Sequence, residues 1–379
     1  MSDSLRQELA AAATLVVVKV GTRVLTQANG TLNDERIAQL AEELSALCTA
    51  GRHPILVSSG AVGAGMSQLG LKKRPTDLAQ LQAVAAIGQT KLIEAYDRTF
   101  RRHGRHAAQV LLTADDLNDR QRYLNVRNTL LTLLEFGAIP VINENDTVAV
   151  DELMTTFGDN DRLAAMVANL LRASLLVILS DVAGLFDGDP ARATSRLLHT
   201  VAKCDDTIDG FVRDRLTGLS KGGMASKLRA ARMVTSAGSH VIIASGRDPQ
   251  VLGGIFAGDL IGTLFLAQGK SISEKKRWIG FSSQQPRGRI TLDAGACRAI
   301  LEHSRSLLAI GVSASDGDFE KGDVVAVFSA DGRELARGLT NYSAVDLARI
   351  RGLKSDKIAE ILGHCPYEEV IHRDNMAIL

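Results

Sequence analysis

The chain has 379 residues, more than one ordinary core accommodates, so two or three folded units are expected. Apolar residues make up 45% and charged residues 23%, which excludes a disordered or fibrous chain. With 44 basic against 43 acidic side chains, net +1, neither a nucleic acid nor an anionic membrane is indicated as the main partner. Cys48, Cys204, Cys297 and Cys365 lie far apart and form no CxxC pair, so a structural zinc site is not expected. Few cysteines, no signal-peptide pattern around Arg6 and Glu8, and no long uncharged apolar stretch together suggest a cytoplasmic protein without a membrane anchor.

In chain order, Leu15-Val16-Val17-Val18 is continuous and β-branched, as a strand buried on both faces should be. Residues 33–48 carry Ile37, Leu40, Ala41, Leu44 and Leu47 at helical spacing. A strand at 55–57, a glycine loop and helical stretches across 78–103 follow. Further strands are expected at 109–112, 139–142, 175–179 and 241–244, with helices near 119–135, 160–172 and 224–237. Strands alternating with helices predict an open, mostly parallel α/β sheet sandwiched by helices, with ligands beyond the carboxyl ends of its strands. This domain is expected over 1–267. Polar residues at 268–285 read as a linker, 286–366 as a small β-rich domain, and 367–379 as a C-terminal tail.

Six motifs carry chemistry. Val18-Lys19-Val20-Gly21-Thr22 puts an ammonium and opened backbone at a strand end, which suits phosphate oxygens or is merely a turn. Ser58-Ser59-Gly60-Ala61-Val62-Gly63-Ala64-Gly65 is a strand–turn–helix start, either an anion cradle or a tight packing turn. Asn143-Glu144-Asn145-Asp146 follows a strand and suits a polar substrate, or an Asx turn. Gly158-Asp159-Asn160-Asp161 precedes a helix; either Asp161 or Asn160 is a plain N-cap, or the paired Asp159 and Asp161 hold lysines or a Mg2+–nucleotide. Leu179-Ser180-Asp181 ends another strand, and Ser220-Lys221-Gly222-Gly223-Met224-Ala225-Ser226-Lys227 opens a helix as a second possible phosphate cradle. Each motif is ambiguous alone. Together they offer lysines, carboxylates, amides and glycine loops, with no Cys–His pair, clustered His or nucleophile elbow. That inventory suits phosphoryl transfer, which relies on positioning and charge neutralisation.

The ordered set Lys19-Val20-Gly21-Thr22, Ser58-Ser59-Gly60-Ala61, Asn143 to Asp146, Gly158 to Asp161 and Lys221 to Lys227 resembles the amino acid kinase family. The likeness continues through Lys276-Arg277-Trp278-Ile279 into a C-terminal region that resembles a PUA domain. Within the family, it points to members that phosphorylate the γ-carboxylate of L-glutamate with ATP, the first step of proline biosynthesis. The resemblance implies that Lys19 and Lys227 neutralise the transferring phosphoryl group and that Asp161 holds both lysines. It implies that Ser59, Asn143, Asp146, Asp159 and Asn160 bind glutamate. It implies that Lys19, Ser180, Asp181 and the run Lys221, Gly222, Gly223, Met224, Ala225, Ser226, Lys227 contact ATP, with Mg2+ carried mainly on the phosphates. It also implies feedback inhibition by proline, a functional partnership with glutamyl phosphate reductase, and a homo-oligomer. Two departures stand out: Ser220-Lys221-Gly222-Gly223 replaces the usual Gly-Thr-Gly-Gly, and Ser180 stands where Thr is common. The N-terminus also runs further before its first strand than the family leads one to expect.

The alternatives are relatives that phosphorylate acetylglutamate, aspartate, carbamate or a nucleoside monophosphate, and, outside enzymes of this kind, an RNA-binding protein with a PUA domain. Residues 271–379 carry 15 basic and 15 acidic side chains, which argues against RNA.

Overall fold

The computed structural model describes residues 3–27, 30–148, 160–190, 192, 194–204, 208, 223–268, 274–281, 285–363 and 367–379. Asp159, Lys221 and Gly222, expected in the site, lie outside the described residues. The chain divides into two compact units, Met1–Ser271 and Ile272–Leu379.

The first unit runs α1 (Ser4–Ala12), β1 (Leu15–Val20), α2 (Thr22–Leu25), α3 (Asp34–Thr49), β2 (His53–Ser58), α4 (Ala61–Gln68), α5 (Leu78–Arg102), β3 (Ala107–Leu112), α6 (Ala114–Asn118), α7 (Arg120–Glu135), β4 (Ile139–Glu144), α8 (Asn160–Leu171), β5 (Leu175–Ser180), β6 (Thr200–Val201), α9 (Met224–Ser236), β7 (His240–Ser245), α10 (Val251–Phe256) and β8 (Thr263–Phe265). Its sheet has the order β3-β4-β2-β1-β5-β7-β8-β6. All pairings are parallel except β7 with β8. The sheet is therefore the mostly parallel α/β sheet expected from the alternating runs.

Alternation along β1 explains the two layers. Val16, Val18 and Val20 enter a core with Ile37, Leu40 and Leu44 of α3 and Leu92 and Tyr96 of α5. Val17 and Lys19 occupy the opposite face by the period of two, where α8 packs on β1 and α9 on β7. The helices begin where short polar side chains accept first-turn N–H groups: Asn33 accepts from Arg36 N, and Asp77 from Gln80 N, both at 3.0 Å.

The segment ahead of β1 forms α1, which the sequence reading did not assign. Arg6 is buried and donates to the carbonyls of Asp259, Ile261, His199 and Gly262 at 2.5–3.2 Å. The extension thus ties down the turn that precedes β8. Strands β6 and β8 also went unassigned, because two or three residues give no periodicity to read.

Helices α4 and α5 meet backbone to backbone. A Cβ on Gly65 would lie 1.9 Å from Val84 O, and one on Gly88 would lie 1.8 Å from Ala61 O and 2.3 Å from Gly65 N. Only hydrogen fits there.

The second unit contains α11 (Glu274–Phe281), β9 (Gly288–Leu292), α12 (Ala294–Leu301), β10 (Leu307–Leu308), β11 (Val312–Gly317), β12 (Val324–Phe328), β13 (Glu334–Leu339), α13 (Ala344–Ile350), α14 (Ile358–Leu362), β14 (Glu369–Ile371) and β15 (Met376–Ile378). A five-stranded sheet, β11-β9-β12-β13-β15, and the pair β10-β14 enclose a core around Ile290, Leu292, Val325, Val327, Leu347 and Ile371. Residues 268–285, expected as a linker, include α11, which packs on β13 and β15 with Ile279 fully buried. Residues 367–379, expected as a tail, supply β14 and β15; three-residue strands completing a sheet carry too little pattern to be read locally. No helix among the described residues is long and apolar enough to cross a membrane.

Gly88→Ala forces the α4–α5 backbones apart, and the expected loss of stability is about 3 kcal/mol or more. Denaturant unfolding of the purified variant measures it; a variant as stable as the parent contradicts the close approach.

Candidate functional site

Register places the motifs on one edge. Lys19 pairs across to Val57 on one side and Ile178 on the other, and Val20 to Ser58 and Leu179. Val57 in turn pairs with Ile142. The carboxyl ends of β4, β2, β1 and β5 are therefore level. Across that edge, in sheet order, stand Asn143, Ser59, Lys19 and Ser180. Neighbouring strands are about 4.8 Å apart, so Asn143 and Ser180 are separated by roughly 14 Å with Lys19 between them.

Asp161 lies in the first turn of α8, with both oxygens against lysines. Lys19 Nζ is 2.6 Å from Oδ1 and Lys227 Nζ is 3.2 Å from Oδ2. The three are almost inaccessible: 6% exposed for Lys19, 2% for Asp161 and 5% for Lys227. Burial alone pushes the Asp161 carboxyl up, but the two ammoniums outweigh it and hold the group below the usual carboxylate range. Lys227 reaches the centre from the first turn of α9, whose N-cap is Gly223, a residue with no side chain to offer the first N–H groups. Met224, Ala225 and Ser226 complete that turn.

On the β2–β4 side, four side chains form a chain of hydrogen bonds. Asn160 Nδ2 donates to Ser59 Oγ at 2.7 Å and to Asn143 Oδ1 at 3.1 Å. Asn143 Nδ2 donates to Gln89 Oε1 at 2.9 Å. Asn160 and Asn143 are buried. Ser59 is presented by Gly60, whose φ of 110° leads into α4 and suits glycine alone. Asp146 follows β4 by two residues. Burial raises its carboxyl to about 6, and the nearby Arg74 guanidinium limits the rise. Burial likewise lowers Arg74 to about 10, against the pull of Asp146.

On the β5 side, Ser180 ends the strand and its hydroxyl donates to Asp181 Oδ1 at 3.2 Å. Arg23 Nη1 donates to Asp181 Oδ2 at 2.9 Å. Burial raises the Asp181 carboxyl, but the Arg23 contact prevails and holds it low.

The structure thus brings Lys19, Asp161 and Lys227 into one contact, and Ser59, Asn143 and Asn160 into another. Three residues were missed by sequence reasoning. Gln89 lies in no motif, but it sits on the apolar stripe of α5 among Leu81, Ala85, Gly88, Leu92 and Tyr96, and an amide on such a stripe is a readable signal. Arg74 belongs to the Lys72-Lys73-Arg74 run, which looks like an ordinary solvated face. Arg23 offers no signal until Asp181 is known to face it.

Comparison with known proteins follows the same division. The amino acid kinase family model matches residues 14–245, and the PUA domain model matches residues 288–362. A glutamate 5-kinase of Rhodopirellula baltica is 51% identical over 99% of this chain and 96% of its own. One from Nitrosococcus oceani is 46% identical over 96% of both chains. Among solved structures, a carbamate kinase from Giardia lamblia bound to AMP-PNP covers 68% of this chain and 100% of its own, at 19% identity and a TM-score of 0.48. With a family match over more than half of its length and relatives this similar along nearly all of it, the chain belongs to the amino acid kinase family, in its glutamate 5-kinase branch.

Proposed function

We propose that the chain transfers the γ-phosphoryl group of ATP to the γ-carboxylate of L-glutamate, giving L-glutamyl 5-phosphate and ADP. The observation that carries this reading is the Lys19–Asp161–Lys227 contact at the sheet edge, between an amide cluster on one side and Ser180–Asp181 on the other. Glutamate occupies the β2–β4 side, held by Ser59, Asn143, Asp146 and Asn160, with Asp159 as a further contact. ATP occupies the β5 side, met by Ser180, Asp181 and the run from Lys221 to Lys227.

A glutamate γ-carboxylate is already ionised at neutral pH, so its oxygen attacks without a general base. That oxygen forms a bond to the γ-phosphorus as the bond to the β-phosphate oxygen breaks, and ADP departs with the electron pair. Two anions must meet. Lys19 and Lys227 offset their repulsion, and Asp161 keeps the two ammoniums at the place where charge passes. ATP chemistry implies a divalent cation, Mg2+ in this reading. Both Asp161 oxygens lie against lysines, so the donor set fits a cation that arrives on the triphosphate rather than one bound by Asp161. Bound there, it supplies charge neutralisation on the phosphate oxygens.

The substrate's α-ammonium needs acceptors, and Asp146 with Asn160 supply them. An Asp146 carboxyl titrating at about 6 must lose its proton to do so. As pH falls through about 6 the carboxylate is protonated and the glutamate KM rises. Asp146→Asn should remove that dependence and raise the KM already at pH 8; steady-state kinetics from pH 5 to 8 decide it, and an unaltered profile rejects the assignment.

Lys227→Ala is expected to cost about 100-fold in turnover with a much smaller change in glutamate KM, by analogy with loss of one oxyanion-hole donor. A variant within threefold of the parent turnover sinks the role.

Substrate choice is tested by trapping the acyl phosphate with hydroxylamine. Hydroxamate is expected from glutamate, and not from aspartate or N-acetylglutamate.

A further inference from the structure

We propose that Gln89 is a positioning residue that sets substrate selectivity by fixing which way the Asn143 and Asn160 amides face. This rests on the reading of the β2–β4 cluster as the glutamate side of the site. The hydrogen bonds run in one direction. Gln89 Oε1 can only accept, so Asn143 must turn its Nδ2 toward it. Asn143 Oδ1 is thereby directed at Asn160, which must answer with its own Nδ2. Asn160 Nδ2 also donates to Ser59 Oγ, so both of its amide hydrogens are engaged.

Two ends of the chain remain: Gln89 Nε2, a buried donor with no hydrogen-bond partner among the described residues, and, at the substrate end, Asn160 Oδ1. The latter is a buried acceptor, likewise with no hydrogen-bond partner among the described residues. A buried acceptor left in that state is costly, and a ligand that donates removes the cost. An ammonium does so; a carboxylate or methyl group does not. The amide chain therefore presents an acceptor to the substrate's α-ammonium, with Gln89 Oε1 as the acceptor at its far end.

Gln89 is itself held in place. It is buried, and it directly follows Gly88, whose Cα lies against the backbone of α4. The same helix contact that positions Ser59 through α4 positions Gln89 through α5, so donor chain and acceptor share one support. The apolar stripe around Gln89 offers no packing reason for an amide, since Leu81, Ala85, Leu92 and Tyr96 are all buried with it.

Gln89→Leu removes the acceptor at nearly constant volume. The Asn143 amide is then free to turn, Asn160 follows, and a donor meets the ammonium. Glutamate KM should rise about 30-fold, the range of one unmatched buried hydrogen-bonding group. The inhibition constant of glutarate, which has both carboxylates and no ammonium, should change less than about threefold, and ATP KM should stay the same. Gln89→Glu keeps an acceptor at Oε and loses the Nε2 donor, so it should retain selectivity near the parent value.

The experiment measures glutamate KM and glutarate inhibition by the hydroxamate trap in parent, Gln89→Leu and Gln89→Glu proteins. A glutamate-to-glutarate preference lost in Gln89→Leu and kept in Gln89→Glu supports the inference. An equal effect on both ligands, or loss of preference in both variants, overturns it. A parent protein that forms no hydroxamate from glutamate instead removes the underlying reading of the site.

Discussion

One carboxylate organises the carboxyl-end edge of the large sheet. Asp161 receives an ammonium from β1 and another from α9, segments distant in sequence, and it is presented by the first turn of α8. A buried carboxylate is costly without partners, and so are two buried lysines. The contact therefore locks strand and helices to a common point: a shift in any of the three elements strands a charge out of water. The low-lying titration of Asp161, despite burial, is the electrostatic signature of that lock.

The parallel sheet turns the lock into a reaction geometry. Because β4, β2, β1 and β5 are adjacent and in register, their carboxyl ends present side chains as a row. Amides and a hydroxyl stand at one end, a serine and an ion-paired aspartate at the other, and the lysines between. In the proposed reading, an acceptor and a triphosphate laid along such a row meet over the two lysines. The distances are set by the spacing of strands, which is among the least variable dimensions in a protein. This is why positioning, rather than an activated nucleophile, is the natural chemistry of the edge.

Support for the amide end comes from an unexpected quarter. Gly65 and Gly88 let α4 and α5 touch through their backbones, and Ser59, two residues ahead of α4, and Gln89 on α5 reach the same cluster. The polar chain is thus anchored at both ends by one helix contact. Charge on both flanks is arranged by single arginines, Arg23 on Asp181 at the β5 side and Arg74 near Asp146 at the β4 side, each drawn from a loop or short helix outside the recognisable motifs.

The residues themselves determined a great deal. β-branched runs such as Leu15 to Val18 must lie between helices, and glycine- and amide-rich stretches after them must form the ligand edge; local pattern alone predicts both. Lys19, Ser59, Asn143, Asn160, Asp161 and Lys227 were all legible because each sits in a strand end or helix start with its own signature. Other features were decided only by tertiary structure. That Lys19 and Lys227 share Asp161, that Arg23 meets Asp181, and that Gln89 accepts from Asn143 are long-range facts, and no local propensity encodes a contact between distant segments. The same holds for α1, whose Arg6 makes sense only beside the carbonyls it caps, and for β14 and β15, which exist because a sheet edge is there to pair them. Sequence determined which side chains stand at the edge; packing determined which of them touch, and electrostatics follows from the touching.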